Sequence, residues 1–416
     1  MLVKGGSDRT AQVQSNVQTS GLPQQAVYLD SPILSALRQI EPFYRSGTFS
    51  AEETPLFLRA KPLIRAQLML ARRPVGIDVR RLRCGQIGRL PIAAGGVVFY
   101  PFNSQSNMNA VTNRNATHVL TLHGESNKLA SNRPAARLYD YICVAGPLAL
   151  RRHLDSAIFT PADVERGRLV MMGDSFVQDL PWIRPANPDE KGALLYCPTW
   201  EGYGNGPVNY STVHDKQGFS ILSDVAHGSG INQIIIKPHP YMGLLKPSLL
   251  LDFVSGVRDL VAKGLSVNLA LSDSSLPLKA LCRARLFDVK RVGEDADSAV
   301  SVRLGLCDVS GMEAVFLKQK IANMIINPTG VFPPMLREVY NHKALQPKAK
   351  RIAQTVRNYL ENSQDIDDEH RALVFGLQVP ELAGMTPDAR RNWLIDYVRL
   401  DPFWGRTREA ANGVAL

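Results

Sequence analysis

Cysteine is scarce in this 416-residue chain: five in all, Cys84, Cys143, Cys197, Cys282 and Cys307, odd in number, scattered and never spaced Cys-x-x-Cys. That usage excludes a disulfide framework and a zinc site and leaves most of them as buried thiols. No apolar run approaches the roughly 18 residues of a membrane span. The opening residues lack the charged, apolar and small-residue order of a signal peptide, so a cytoplasmic location is expected. There is no Gly-Lys-Ser/Thr phosphate loop of the Walker type, no Gly-x-Gly-x-x-Gly after a strand and no Gly-x-Ser-x-Gly elbow. Their absence removes the commonest ATPase, dehydrogenase and hydrolase readings. No histidine-rich cluster demands a metal ion, and no cofactor is expected. Nor does any basic strip interleaved with aromatics, RNP-like sequence or zinc-finger spacing point to nucleic acid.

What is present is the balance of a globular protein, 45% hydrophobic and 21% charged, in a chain too long for one ordinary core. Two domains with appendages are therefore expected. The formal net charge of +10 suits anionic partners: nucleotide diphosphates, phosphate-bearing polymers or an acidic membrane face. A basic balance is also common among cytoplasmic proteins at large, so charge alone does not choose.

Residues 1–26 are rich in Ser, Gln, Gly and Thr, and read as a leader whose ordering entropy nothing offsets. From Leu56 to Arg73, leucines and Phe57 interleave with arginines in a loosely helical period. Such a stretch fits an anionic membrane surface, but Pro62 interrupts the stripe and favours a helix packed on its own domain. From about residue 95, short β-rich runs alternate with helical segments: Gly96–Tyr100, Val119–Leu122, Tyr141–Val144 and Leu169–Met172. After the polar stretch Pro181–Asp189 the texture restarts with Ala193–Tyr196, Ile234–Ile236, Leu265–Leu271, Val300–Cys307 and Ala322–Ile326. Runs of this kind predict strands of parallel sheets, hence an α/β fold of two domains, 27–185 and 186–345. Residues 346–416 read as helices packing across the domain junction, with apolar spacing at Ile352, Val356 and Leu360.

Parallel sheets present chemistry at the carboxyl ends of their strands. Two apolar runs end there in a histidine. His123 is followed by Gly124, which permits a tight turn and close approach of a ligand, and an imidazole suits proton transfer near neutrality. A histidine that merely bonds its turn is the alternative. In Lys237-Pro238-His239-Pro240 the prolines fix His239 in one direction and deny it ladder pairing, and Lys237 adds charge; a phosphate or activated leaving group fits there. Asp308-Val309-Ser310-Gly311-Met312-Glu313 follows a strand and opens a helix, so Ser310 and Gly311 can receive a phosphate while Asp308 orients the loop. Glu313 lies where a carboxylate reaches a ribose or sugar hydroxyl. An ordinary N-cap fits these residues equally well. Thr199, in Cys197-Pro198-Thr199-Trp200, ends the first strand of the second domain and opens a loop with Gly202, Gly204 and Gly206 that suits nucleotide phosphates or a mobile connection.

Taken together, His123-Gly124, Pro198-Thr199-Trp200, Pro238-His239-Pro240 and Asp308-x-Ser310 resemble motifs of the CDP-glycerol glycerophosphotransferase family, the teichoic-acid and capsule polymerases, over residues 95–345. The resemblance implies a GT-B arrangement: two Rossmann-like domains with parallel sheets facing across a cleft. It implies that His123 acts as base on the acceptor hydroxyl, that His239 assists at the donor phosphates, and that Thr199, Asp308 and Ser310 hold the nucleotide diphosphate. The implied reaction moves a glycosyl or polyol-phosphate group from a nucleotide-activated donor to a cell-surface polysaccharide, with peripheral contact at the inner membrane. The chain departs from the family pattern at Gly311, where a serine or threonine is usual, and at Glu125-Ser126. A nucleotide-sugar 2-epimerase of the same fold and a noncatalytic saccharide-binding assembly protein are the alternative expectations.

Overall fold

Leu-Phe-Leu, Gly-Val-Val-Phe-Tyr and similar short runs, buried on both faces, assemble into two wholly parallel sheets in a computed structural model. It describes residues 21–30, 34–59, 76–127, 133–201, 210–271, 275–293, 299–346 and 351–400. The first sheet holds β1 (Gln25–Leu29), β2 (Leu56–Arg59), β3 (Val79–Leu82), β4 (Gly96–Tyr100), β5 (Ala116–Leu120), β6 (Tyr141–Val144) and β7 (Leu169–Met171). Its order is β3-β2-β1-β4-β5-β6-β7, so the chain reverses its direction of travel between β1 and β4. The second holds β8 (Ile183–Pro185), β9 (Ala193–Cys197), β10 (Gln233–Ile236), β11 (Ser266–Leu269), β12 (Lys290–Arg291), β13 (Val300–Asp308), β14 (Asn323–Ile326) and β15 (Ala344–Leu345). Its order is β12-β11-β10-β9-β13-β14-β15, with β8 added on β13.

Alternation along each strand feeds two cores, because successive side chains of a strand point to opposite faces. Val27, Leu29, Val97 and Phe99 pack on one side of the first sheet with Ile40 and Phe43, while Ala26, Tyr28, Val98 and Tyr100 pack on the other. In the second sheet Leu194, Tyr196, Ile234 and Ile236 meet Phe219 and Phe253, whereas Leu195, Cys197 and Ile235 meet Phe316 and Tyr340. Cys143, Cys197, Cys282 and Cys307 are buried thiols within these layers.

Three features differ from the sequence expectation. Leu56–Arg59 is not the start of a helix but strand β2, paired in parallel with β1 at Val27↔Leu56. Four residues are too few for period 2 and period 3.6 to be told apart; the remainder of the basic stretch, 60–73, lies outside the described residues. Of the expected leader, 1–20 also lies outside them, and Gln25 and Ala26 already belong to β1. The C-terminal helices divide: Ile352–Phe375 runs along the second domain to the junction, but Pro387–Leu400 inserts Leu394, Ile395 and Val398 into the core of the first sheet. Among the described residues no helix is long and apolar enough to cross a membrane.

Candidate functional site

β5 delivers His123 at its carboxyl end through a strained turn, with Leu122 at φ +60° and Gly124 at φ +147°. A side chain at Gly124 would meet nothing within 4 Å, so the glycine is required by its backbone angle, and the space above it is open. His123 stacks on Phe102, with centroids 4.1 Å apart, and its Nδ1 lies 2.8 Å from the Pro101 carbonyl oxygen. A carbonyl only accepts, so Nδ1 carries the proton and Nε2 carries the lone pair. Burial holds the imidazole below its ordinary pKa, a shift only partly offset by the Pro101 hydrogen bond. The ring is therefore a neutral base aimed from Nε2.

β10 delivers Lys237 and His239 beside β9. The first proline does not end the pairing: the Lys237 N–H before it donates to Tyr196 O at 2.8 Å, and the His239 N–H after it donates to Pro198 O at 3.2 Å. His239 Nδ1 accepts from the Tyr241 N–H at 3.1 Å, which places the proton of the neutral ring on Nε2, the opposite tautomer to His123. Trp200 stacks on His239 at 5.6 Å and 12°, and Tyr241 packs edge-on against both rings. Glu201 accepts from the N–H groups of Gly243, Leu245 and Lys246 and so fixes the loop after His239.

At the end of β13, Asp308 is fully buried. Its carboxylate accepts from Thr199 N at 2.8 Å, Thr212 N at 3.2 Å and Thr212 Oγ1 at 2.5 Å. Asp308 thus orients the Thr199 loop from behind; Gly202, Gly204 and Gly206 of that loop lie outside the described residues. Ser310 Oγ accepts from Met312 N at 3.3 Å, and Gly311 caps the seven-residue helix Met312–Lys318. Glu313 is only 3% exposed. Its carboxylate accepts from Tyr340 OH at 2.6 Å and Asn127 Nδ2 at 3.3 Å and stands 3.1 Å from His370 Nε2. It is engaged by protein groups rather than turned to an open surface. Burial alone would raise its carboxyl, but His370, Tyr340 and Lys343 outweigh that and hold it below the ordinary range.

The structure thus brings Thr199 to Asp308, and Trp200 to His239. It also joins the two domains: a Cβ on Gly311 would stand 3.3 Å from Glu125 O, and Asn127 reaches Glu313. The loops after β5 and β13 therefore touch, and the carboxyl edges of the two sheets face each other. Sequence reasoning placed Asn127, Trp200 and Glu201 in its motifs without giving them a role, and passed over Arg152, Tyr241, Tyr340 and His370; all of these hold the loops. Among the described residues no group of three or more His, Cys, Asp or Glu is placed to hold a metal ion.

No family model matches the chain, and no curated relative matches it by sequence. Solved structures do. HepE of Anabaena in complex with UDP aligns over 90% of this chain and 99% of its own at 8% identity, with a TM-score of 0.50. The wall teichoic acid polymerase TagF aligns over 94% of this chain and 91% of its own at 12% identity, with a TM-score of 0.46. At such identities the likeness is one of fold, and with the two parallel sheets it defines a GT-B architecture of two Rossmann-like domains.

Proposed function

We propose that the chain is a transferase that moves a glycosyl or polyol-phosphate group from a nucleotide-diphosphate donor to a hydroxyl of a cell-surface polysaccharide. The observation that carries this reading is the pair of imidazoles at the carboxyl ends of β5 and β10, held by backbone contacts in opposite tautomers. Transfer to a hydroxyl needs a base on one side and a proton-bearing, charge-stabilising group on the other.

In this mechanism His123 Nε2 takes the acceptor hydroxyl proton while that oxygen bonds to the anomeric carbon, or to phosphorus for a polyol-phosphate donor. The bond to the departing nucleotide phosphate breaks, and its oxygen keeps the electron pair. Lys237 and the His239 Nε2–H stabilise that charge, and the Thr199 loop, Ser310 and Gly311 cradle the diphosphate. Fixed donors of this kind need no reorganisation as charge develops. HepE, which shares the fold, is solved with UDP, and this supports a nucleotide-diphosphate donor. The net charge of +10 fits anionic substrates and a peripheral position on the inner membrane face.

The test begins with thermal stabilisation by CDP-, UDP-, GDP- and CMP-linked donors, since a ligand of the folded state raises its apparent stability. With the stabilising donor, His123→Ala is expected to slow transfer by about 10²–10⁴-fold and to keep the thermal shift. Wild-type turnover in that variant overturns the base assignment. A chain stabilised by no nucleotide donor, yet binding saccharide, is a binding protein instead.

A further inference from the structure

The loop that carries His123 continues through Gly124, Glu125 and Ser126 to Asn127, whose side-chain oxygen and nitrogen are both engaged. Its Oδ1 accepts from Arg152 Nη1 at 3.2 Å, within the first domain. Its Nδ2 donates to Glu313 Oε2 at 3.3 Å and to Tyr340 OH at 3.1 Å, both in the second. The amide is thus oriented with its oxygen on a cation and its nitrogen on an anion, an arrangement that a carboxylate, with no proton to donate, cannot reproduce and that a hydroxyl, with one, reproduces only in part. Arg152 is anchored in turn by an ion pair with buried Glu125.

On the far side the contact is backed by a buried chain. His370 Nε2 faces Glu313, Lys343 Nζ lies 3.1 Å from His370 Nδ1 and 2.6 Å from Asp367 Oδ1, and Tyr359 OH donates to Asp367 at 2.7 Å. His370 and Asp367 sit on the helix Ile352–Phe375, which leads to the crossover between the domains.

We propose that Asn127 is a positioning residue that clamps the His123 loop to the Glu313–Tyr340 pair of the opposite domain, so that the base is presented only when the two domains are together. The role given to His123 rests on the transferase reading; the clamp itself does not. Donor binding requires only the second domain, whereas catalysis requires both, so loss of the clamp separates the two.

Hydrogen exchange on the full chain tests the clamp directly. Asn127→Ala is expected to speed exchange at least tenfold both in 121–127 and in 310–313, segments of different domains, and to leave Thr212, which is anchored by Asp308, unchanged. Tyr340→Phe keeps the ring and removes only the hydroxyl, and it is expected to loosen 121–127 from the other side of the junction. Faster exchange confined to the mutated domain in both variants overturns the proposal. In transfer assays both variants should lose at least tenfold in kcat while donor Kd stays within twofold; equal loss of donor affinity also overturns it. If the wild-type chain transfers nothing, the transferase reading fails while the exchange result still decides the clamp.

Discussion

Two imidazoles separated by more than a hundred positions acquire different chemistry from one backbone contact each. His123 gives its Nδ1 proton to a carbonyl, and His239 Nδ1 receives one from an amide. Because burial lowers the His123 pKa below the ordinary 6.5, the ring stays neutral above that value and charges only as pH falls through the lowered one. With His123 as the base of the proposed transferase, activity is lost on the acid side, and the acid limb of kcat against pH should have its midpoint below 6.5. A midpoint above 6.5 would assign the limb to another group. His153, buried on Phe159, is pushed down to about 4 by burial and then by Arg152. The unfolded chain binds that proton first as pH falls. Stability from this neutral ring is complete above pH 6.5 and declines towards pH 4, by a total on the order of 3 kcal/mol. Urea unfolding at pH 7 and pH 4.5 should show a smaller difference in His153→Leu than in the wild type. His123 and His239 were legible in the sequence because each closes an apolar run beside a glycine or proline. Asn127 and Tyr340 were not, since they stand 213 positions apart and meet only through the fold.

From β4 onward, β4–β7, β9–β11, β13 and β14 announced themselves by short apolar runs rich in β-branched and aromatic residues, whereas β8 lies in the stretch read as a polar break and β12 and β15 are two residues long. Nor did β1, β2 and β3 announce themselves: β1 follows a polar stretch, β2 is four residues long, and β3 is Val-Arg-Arg-Leu, half-exposed at a sheet edge. Loops were legible as loops, but not what holds them. Asp308 illustrates this, for its motif suggested a phosphate loop and its carboxylate proves to be spent on Thr199 and Thr212. Asp308→Asn removes a charged acceptor and turns a donor towards a backbone N–H. A loss of roughly 2–4 kcal/mol follows from leaving such groups unsatisfied, with faster proteolysis of the loop between Thr199 and Thr212. Helix contacts carry a second prediction. A Cβ on Gly228 would stand 2.6 Å from Ala353 Cα, where the helices Gln217–Ser229 and Ile352–Phe375 touch backbone to backbone. Although alanine is the better helix former, Gly228→Ala should cost about 1–3 kcal/mol by overpacking, read as a lowered Tm. An unchanged or raised Tm would show that the helices can part without cost.

At the scale of the whole molecule the two sheets part between Met171 and Ile183, but the cores do not follow that division. Leu394, Ile395 and Val398 complete the layer formed by Val27, Ile40 and Phe99, and Arg391 is buried against Glu53 and Asp388. Removing the helix Pro387–Leu400 is therefore expected to unfold the first domain while the second, whose core takes nothing from that helix, still melts cooperatively. Calorimetry of the truncated chain checks this: two intact transitions would contradict the shared core.

That return of the chain also sets an order on its making. During synthesis the strands β1–β7 leave the ribosome first, yet one face of their sheet has only the helix Leu34–Arg45 as cover until Pro387–Leu400 follows. The second domain closes on itself earlier, so the half translated first is the half completed last. In the interval its uncovered leucines and phenylalanines are the surface that a chaperone would meet.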